Sequence, residues 1–484
     1  RFRKTTFLPG RCVDRRPLTT VLVVAGFFCA GAALGVDARD TALHTPLRAA
    51  LDRAFGGFDV RTAGPGGRHD PVPLRAELLE DAAREDGFIG LRARITAIRL
   101  DGRWRPAEGG VTLAIGGAPA AARVDEWRAG RTIETFAAFR RPARYLNDGV
   151  PDFERQLALD GTTLFGSVKS GLLVDVMARG GMRQESAAVI RDLVRRRIDR
   201  WVGPHDPVSA AIVTAVLIGD RTGLPDPVRL RLQAAGTYHV IAISGGNIAI
   251  LAALTLAGLL VCGISGRPAA LATLVLLVAY AQVVTTGASV WRATVMAVVY
   301  LGARLLDHRT PPWQAMAVAG ALVLSVRPLD VGDAGFLLTF GATAALLEAA
   351  RRIPRSVPRP RAAAWLLASL AASTAVELAL MPVNASIFSR VTAAGLVLNL
   401  MAVPLMGLVQ EAGLVSVLLG GIARAAAPAG WVAHAAATAL VESARLVEAA
   451  PWLAVRVPPP SAGLIAVYYA GLAAVLAGRG IARA

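Results

Sequence analysis

The residues best placed to do chemistry form one dense cluster, Gly236-Thr237-Tyr238-His239-Val240-Ile241-Ala242-Ile243-Ser244-Gly245-Gly246-Asn247. Hydroxyls, an imidazole, a carboxamide and glycines open an apolar run. Polar side chains are expensive at membrane depth, so such a cluster reads either as a site or passage, or as the glue of packed helices. Ser244 and Asn247 would share one face of a helix, and the glycines permit a backbone break or a close approach. Nucleophilic catalysis is poorly served. His239 stands a full turn away in sequence from Ser244, and Ile243-Ser244-Gly245 is not a Gly-x-Ser-x-Gly elbow. His44, His69, His205, His239, His308 and His434 lack metal-ligand spacing, and Cys12, Cys29 and Cys262 form no cluster. No GxxxxGK[ST] loop occurs, and Gly219-Asp220-Arg221-Thr222-Gly223 reads as a turn with a local Asp–Arg pair. The sequence therefore offers no catalytic set, no metal site, no cofactor motif, and neither a nuclease nor an ATPase signature.

Further polar groups lie in or beside apolar runs. Arg292 follows Trp291, and it either snorkels to an interface or faces a channel. Glu377, Asn384, Asn399, Gln410 and Glu411 need water or a partner. Pro404 splits the run 393–419, and a helix broken at membrane depth must be buried or line a cavity.

The elements that must position these groups follow from composition. Of 484 residues, 54% are hydrophobic and 18% charged, and the mean hydropathy is +0.49. Soluble domains carry about a quarter charged residues, so a disordered chain is excluded and a single soluble globule disfavoured. The net charge of +17 is almost entirely arginine. It suits nucleic acid or anionic lipid, and the arginines of cytoplasmic loops give the same excess. Arg1, Arg3, Lys4, Arg11, Arg15 and Arg16 precede an apolar run at 18–36 that is long enough for a retained anchor.

Residues 37–200 are dense in charge, with strand-like alternation at 72–80, 88–100, 111–115 and 132–139 and a candidate strand at 164–176. Residues 185–201 read as a basic amphipathic helix able to lie on a membrane surface. Apolar runs then dominate at 240–262, 269–286, 290–306, 313–326, 334–350, 362–381, 393–419 and 462–477, with shorter pieces at 208–218 and 430–447. The predicted fold is a polytopic α-helical membrane protein with an N-terminal extracytoplasmic small β-barrel, OB-fold-like. The divisions fall at 1–36, 37–180, 181–206 and 207–484. With residues 1–17 in the cytoplasm, the loops bearing Arg267, Arg304 and Arg309, and Arg351, Arg352, Arg355, Arg359 and Arg361 all fall inside.

The outer domain interleaves arginines (Arg92, Arg94, Arg99, Arg103, Arg105, Arg140, Arg141, Arg144) with rings (Phe88, Trp104, Trp127, Phe136, Phe139, Tyr145). OB-folds hold single strands by a basic groove and stacking rings; a solvated face over core aromatics gives the same pattern. Arg92, Arg94, Arg103, Trp104 and Arg105 are the DNA-contact candidates, whereas Phe136 and Phe139 suit the core.

Residues 219–251 resemble the signature of the ComEC family of competence membrane proteins, with Gly219, Asp220 and Arg221, then Gly236, Thr237 and His239, then Ile243-Ser244-Gly245 leading into a span. Val290-Trp291-Arg292-Ala293-Thr294-Val295-Met296 is similar to the family's RAxxM element. Arg327-Pro328-Leu329-Asp330 with Ala334-Gly335-Phe336-Leu337-Leu338-Thr339-Phe340, and Met381-Pro382 with Leu398-Asn399-Leu400 and Val403-Pro404-Leu405, resemble two more. The resemblance covers residues 18–480. It implies a multi-pass subunit of the bacterial cytoplasmic (inner) membrane, forming the channel that imports single-stranded transforming DNA in natural competence. It implies as partners single-stranded DNA, cytoplasmic membrane lipids, other competence proteins (a DNA receptor, a motor ATPase and a nuclease) and a further copy of the chain. His239, Ser244, Gly245, Asn247, Arg292, Glu377, Asn399 and Pro404 become conduit candidates, with Arg292 meeting phosphate and Pro404 breaking its helix.

Two departures stand out. Asn247 replaces a histidine common in the family. No metallo-β-lactamase-like domain follows the last span, so nuclease activity is expected from another chain, or to have been lost or truncated. The competing readings are a membrane-embedded hydrolase of lipid or peptide using His239 and Ser244, a small-solute transporter, and a scaffold.

Overall fold

A computed structural model of the chain describes residues 16–55, 71–85, 87–142, 153–284, 287–308, 311–352 and 361–481. Arg1, Arg3, Lys4, Arg11, Cys12, Arg15, His69, Asp86, Arg144, Tyr145, Arg309, Arg355 and Arg359 lie outside the described residues. The chain is mostly helical, with a sheet domain towards its N-terminus.

Helices α1 (Arg16–Leu43) and α2 (Pro46–Phe55) lead into β1 (Val72–Leu78), β2 (Ala83–Glu85), β3 (Phe88–Leu100) and β4 (Arg103–Ile115). After α3 (Ala118–Arg123) come β5 (Thr132–Arg140), α4 (Phe153–Leu159), β6 (Leu164–Val168) and β7 (Asp175–Ala178). Alternation dictates the strands. In β1 every second residue, Val72, Leu74, Ala76 and Leu78, is buried. The β3–β4 hairpin closes at Asp101-Gly102, both left-handed (φ 51° and 75°), where glycine carries little steric cost. β4 starts well before the expected residue 111, because its outer half, Arg103-Trp104-Arg105-Pro106-Ala107-Glu108-Gly109-Gly110, is polar and glycine-rich and hides the period. The expected strand at 164–176 is interrupted at Gly171–Leu173 and becomes β6 and β7.

β1 pairs antiparallel with both β3 and β5; β3 pairs with β4, β4 runs parallel to β6, and β6 pairs with β5. The pairing therefore returns to its starting strand. Leu91, Ile95, Ile98, Leu113, Ile133 and Trp127 fill the interior, and Leu47 and Leu51 of α2 join the same core. Phe139 is buried as expected, but Phe136 is 40% exposed.

The second half begins with α5 (Met182–Trp201), α6 (Pro207–Ile218), α7 (Asp226–Ala234), α8 (Tyr238–Ile241), α9 (Gly245–Val261), α10 (Gly266–Val283), α11 (Ala288–Leu305), α12 (Pro312–Val326) and α13 (Ala334–Arg352). It ends with α14 (Arg361–Phe388), β8 (Arg390–Thr392), α15 (Ala394–Leu418), α16 (Ala423–Ser443), α17 (Leu446–Ala449), β9 (Ala454–Arg456) and α18 (Ala462–Ile481). Among the described residues three helices are long and apolar enough to cross a membrane: Gly266–Val283, Ala363–Phe388 and Ala394–Leu418. Several shorter apolar helices pack beside them, including α6 and α9.

Three expectations need correction. The run 240–262 is not one helix, because the chain is extended at Ala242 and Ser244 between α8 and α9. The amphipathic helix α5 does not lie free on a surface. Its Ala187, Ala188, Arg191, Val194 and Ile198 are buried, and it packs against α6, α10, α15 and α16. Pro404 does not break α15, which runs on through it. A proline inside a helix deprives the carbonyl four residues earlier of its N–H partner. For Pro404 that carbonyl belongs to Leu400, and both residues line a large cavity. For Pro382 inside α14 it belongs to Leu378, and the Tyr468 hydroxyl of α18 donates to it at 2.7 Å.

Ion pairs fasten the sheet domain to α5. Arg191 is 3% exposed and donates twice to Asp81, at 2.6 and 2.7 Å, while a third N–H reaches the Val283 carbonyl at the end of α10. Arg131 makes a two-pronged contact with Glu185 at 2.7 and 2.8 Å, and Arg128 pairs with Asp192. Arg195 bridges Asp81, Asp192 and Asp220. Arg131's hydrogen bond holds the Glu185 carboxyl at about 2. Burial alone would raise the Asp81 carboxyl, but Arg191 and Arg195 bring it below its ordinary value.

Both carboxyls are depressed on folding, so their stabilisation is complete above the ordinary carboxylate range and disappears as pH falls through it towards about 2. Thermal unfolding in detergent should therefore show a loss of stability on that acid limb, reduced in Glu185→Gln; an unchanged limb would show that the pair does not carry it. Tyr468→Phe should cost roughly 1–2 kcal/mol. The cost should vanish in a Pro382→Ala background, where the Leu378 carbonyl regains its own helical partner, and a double-mutant cycle reads this directly.

Candidate functional site

Between the sheet domain and the helices lies a cavity of about 3010 Å³. Its wall includes Glu80, Asp81, Arg84 and Arg92 of the sheet domain, the Gly219–Pro225 turn, and residues of α7, α8, α9, α11, α13, α14, β8 and α15.

The break before α9 builds one side. Gly236 adopts φ 72°, and an added Cβ would come 2.9 Å from the Thr392 methyl of β8, so the turn admits glycine on both counts. Ser244 caps α9 by accepting the Gly246 N–H at 3.2 Å. The Asn247 Oδ1 accepts from the Ser244 N–H and hydroxyl at 3.2 and 3.0 Å. Ser244 and Gly245 face the cavity, whereas Asn247 is fully buried behind them, its carbonyl accepting from Gln410 Nε2. Asn247 is thus a cap that shapes the wall. His239 lines the cavity, and its Nδ1 sits 2.9 Å from the Gly236 carbonyl. With Ser244 bound to Asn247 and His239 to Gly236, the two form no hydrogen-bonded nucleophile–base pair.

Arg292 of α11 is 2% exposed. Its Nη1 donates to Asp333 Oδ2 at 2.9 Å and stands 3.7 Å from Asp330, which also pairs with Arg327 at 3.3 Å. The same Asp333 oxygen accepts the Phe336 N–H at the start of α13. A Cβ on Gly335 would meet the Arg292 guanidinium at 2.5 Å. Arg292 therefore neither snorkels nor presents a free cation to phosphate. Its charge is neutralised inside the wall, as burial demands. Sequence reasoning missed Asp333. An Asp three residues before Phe336 at a helix start is an N-cap signal that could have found it.

Glu377, Asn384, Asn399 and Glu411 also line the cavity. Glu377 and Asn399 flank Gly395: built there, a Cβ would stand 3.7 Å from the Glu377 carboxylate and 3.6 Å from the Asn399 amide. The wall carries arginines (Arg84, Arg92, Arg195, Arg221, Arg229, Arg292, Arg390) and carboxylates (Glu80, Asp81, Glu85, Asp220, Asp226, Asp333, Glu377, Glu411) in similar number. The expected cation-lined passage is therefore mixed in charge. Arg92 pairs with Glu80 at 2.8 Å, and Arg229 with Asp226 at 2.8 Å. Among the described residues no cluster suits a metal ion.

The outer DNA-contact candidates do not converge. Arg92 reaches the cavity and exposed Arg94 stands on the same face of β3. Arg103, Trp104 and Arg105 sit at the far end of the hairpin, about 30 Å along the strand. There the Trp104 ring is already covered by Arg75 at 4.3 Å and Arg99 at 5.6 Å. Phe336 lies at the start of α13 against Phe340, their ring centroids 4.5 Å apart.

Comparison with known proteins agrees with the origin of this wall. ComE operon protein 3 of Bacillus subtilis (strain 168) is 32% identical over 141 residues, which is 29% of this chain and 18% of that protein. The match thus spans under a fifth of the relative's length. No solved structure matches the chain. The family model described as "Competence protein" matches residues 216–480, the stretch that supplies the Gly219–Pro225 turn, the α9 break, Arg292 and Asp333. With more than half of its length inside that match, the chain belongs to the competence protein family.

Proposed function

We propose that this chain is the membrane channel subunit through which single-stranded transforming DNA is imported across the cytoplasmic membrane. The observation that carries the reading is the cavity of about 3010 Å³ walled by the family-matched helices and roofed by the sheet domain. Small-molecule pockets measure about 300–1,000 Å³. A space several times larger favours a polymer over the small-solute transporter reading. The hydrolase reading has no Ser244–His239 hydrogen bond to support it. The cycle of strands, with β4 parallel to β6, supports reading the sheet domain as an OB-type barrel. The inner-face arginines support a topology with that domain outside.

The mixed charge of the wall assigns roles. His239, Ser244, Gly245, Glu377, Asn399 and Pro404 border the passage, while Asn247 and the Arg292–Asp333 pair hold its shape. A wall in which most arginines are neutralised lets a polyanion slide rather than stick, since every free cation adds to phosphate affinity. A DNA receptor, a motor ATPase and a nuclease are the partner proteins that the DNA-uptake reading brings with it.

Deleting the gene from a transformable host should abolish entry of labelled DNA into the cytoplasm while leaving surface binding intact; undiminished cytoplasmic uptake would refute the channel role. Arg292→Ala and Asp333→Asn should each lower uptake at least tenfold at normal membrane levels, because either breaks the 2.9 Å pair that fixes α11 to the start of α13. If Arg292 were a phosphate contact instead, Asp333→Asn would preserve or raise uptake.

A further inference from the structure

We propose that Arg390 and Arg456, facing each other across the β8–β9 ribbon, form a clamp for the phosphodiester backbone at the outer mouth of the cavity. The inference rests on the DNA-uptake reading and adds to it a specific contact site.

The ribbon is short and well defined. Arg390 stands directly opposite Arg456, Val391 opposite Val455 and Thr392 opposite Ala454. Its ends are tied by the Ala393 N–H to the Leu453 carbonyl at 2.8 Å and the Val457 N–H to the Ser389 carbonyl at 3.0 Å. Residues directly opposite in an antiparallel pair project on the same face with Cβ atoms about 4.5–5.5 Å apart, and like charges there are destabilising. Neither guanidinium has an ion-pair partner among the described residues. Four other arginines of the cavity wall are neutralised, Arg92 by Glu80, Arg195 by Asp81 and Asp220, Arg229 by Asp226 and Arg292 by Asp333, while Arg84 donates to the Ala121 carbonyl and Arg221 to the Tyr238 hydroxyl. Two cations set against each other without a carboxylate break that pattern.

The ligand's class follows from the surroundings. Arg390 and Phe388 line the cavity, so an anion held there belongs to whatever occupies it. Phe388 and Trp452 flank the two strands at 57% and 75% exposure. Adjacent cations and open rings suit single-stranded nucleic acid, which is bound by phosphate contacts and base stacking together. The ribbon follows α14, whose other end carries the arginine-rich inner loop, so in the proposed topology it stands at the outer mouth, where an incoming strand arrives.

The test uses the full chain in nanodiscs and a fluorescent oligothymidylate, read by anisotropy over a range of salt. Arg390→Ala with Arg456→Ala should weaken binding by about tenfold or more. It should also make the slope of log affinity against log salt shallower by about 1.4, the value for two lost phosphate contacts on a single strand. Arg390→Lys with Arg456→Lys should keep most of the slope. Arg456→Glu, which sets opposite charges across the ribbon, should raise the melting temperature while lowering affinity, a combination that a purely structural pair would not give.

Unchanged affinity and slope in the double alanine variant, or no binding by the parent protein, would overturn the clamp. So would a variant that keeps oligonucleotide binding but loses binding to phosphatidylglycerol vesicles, since the arginines would then serve lipid headgroups. These outcomes are independent of the deletion experiment. Normal uptake without the gene would sink the channel reading while leaving the anion site standing, and a failed clamp would leave the channel reading in place.

Discussion

A guanidinium removed from water must be neutralised where it is buried, and this constraint organises the molecule. Arg191 and Arg292 are both almost inaccessible, and each is held by aspartates from another element. Breaking such a pair from one side costs about 3–5 kcal/mol, because the remaining charge is stranded. Arg191 joins Asp81 of the sheet domain to α5 and to the end of α10. Arg292 joins α11 to the start of α13. Between them they fix the roof and one wall of the cavity, so its shape depends on charge pairing as much as on apolar packing.

The cavity is consequently unlike the passage that a net charge of +17 suggests. Bulk charge states how many arginines exist, and their pairing decides how many are available. Of the seven arginines on the wall, Arg92, Arg195, Arg229 and Arg292 are neutralised by carboxylates.

The two prolines of α14 and α15 illustrate a second economy. Each leaves one backbone carbonyl without its helical donor. Tyr468 satisfies the one in α14, which also docks α18. The one in α15 belongs to a residue on the cavity wall. Neither helix breaks, because the freed group has somewhere to go. The break instead falls at 242–244, where Ser244 and Asn247 supply a ready cap for a new helix.

Sequence by itself determined a good deal. The period-two pattern of β1 and β3, the apolar runs of α10, α14 and α15, and the motif residues around Ser244 and Arg292 are local or nearly local, and local chemistry is written in order along the chain. It could not decide what Arg292 does, since its partner aspartates are reached only when α11 packs beside α13. Nor could it separate Asn247, a cap behind the wall, from Ser244 on its surface, because three residues of spacing fix a shared helix face only if both lie within the helix, and Ser244 stands just before it. The opposition of Arg390 and Arg456, far apart in the chain, was invisible for the same reason. Which charges meet and which stay free is settled by long-range packing, and tertiary structure alone carries that information.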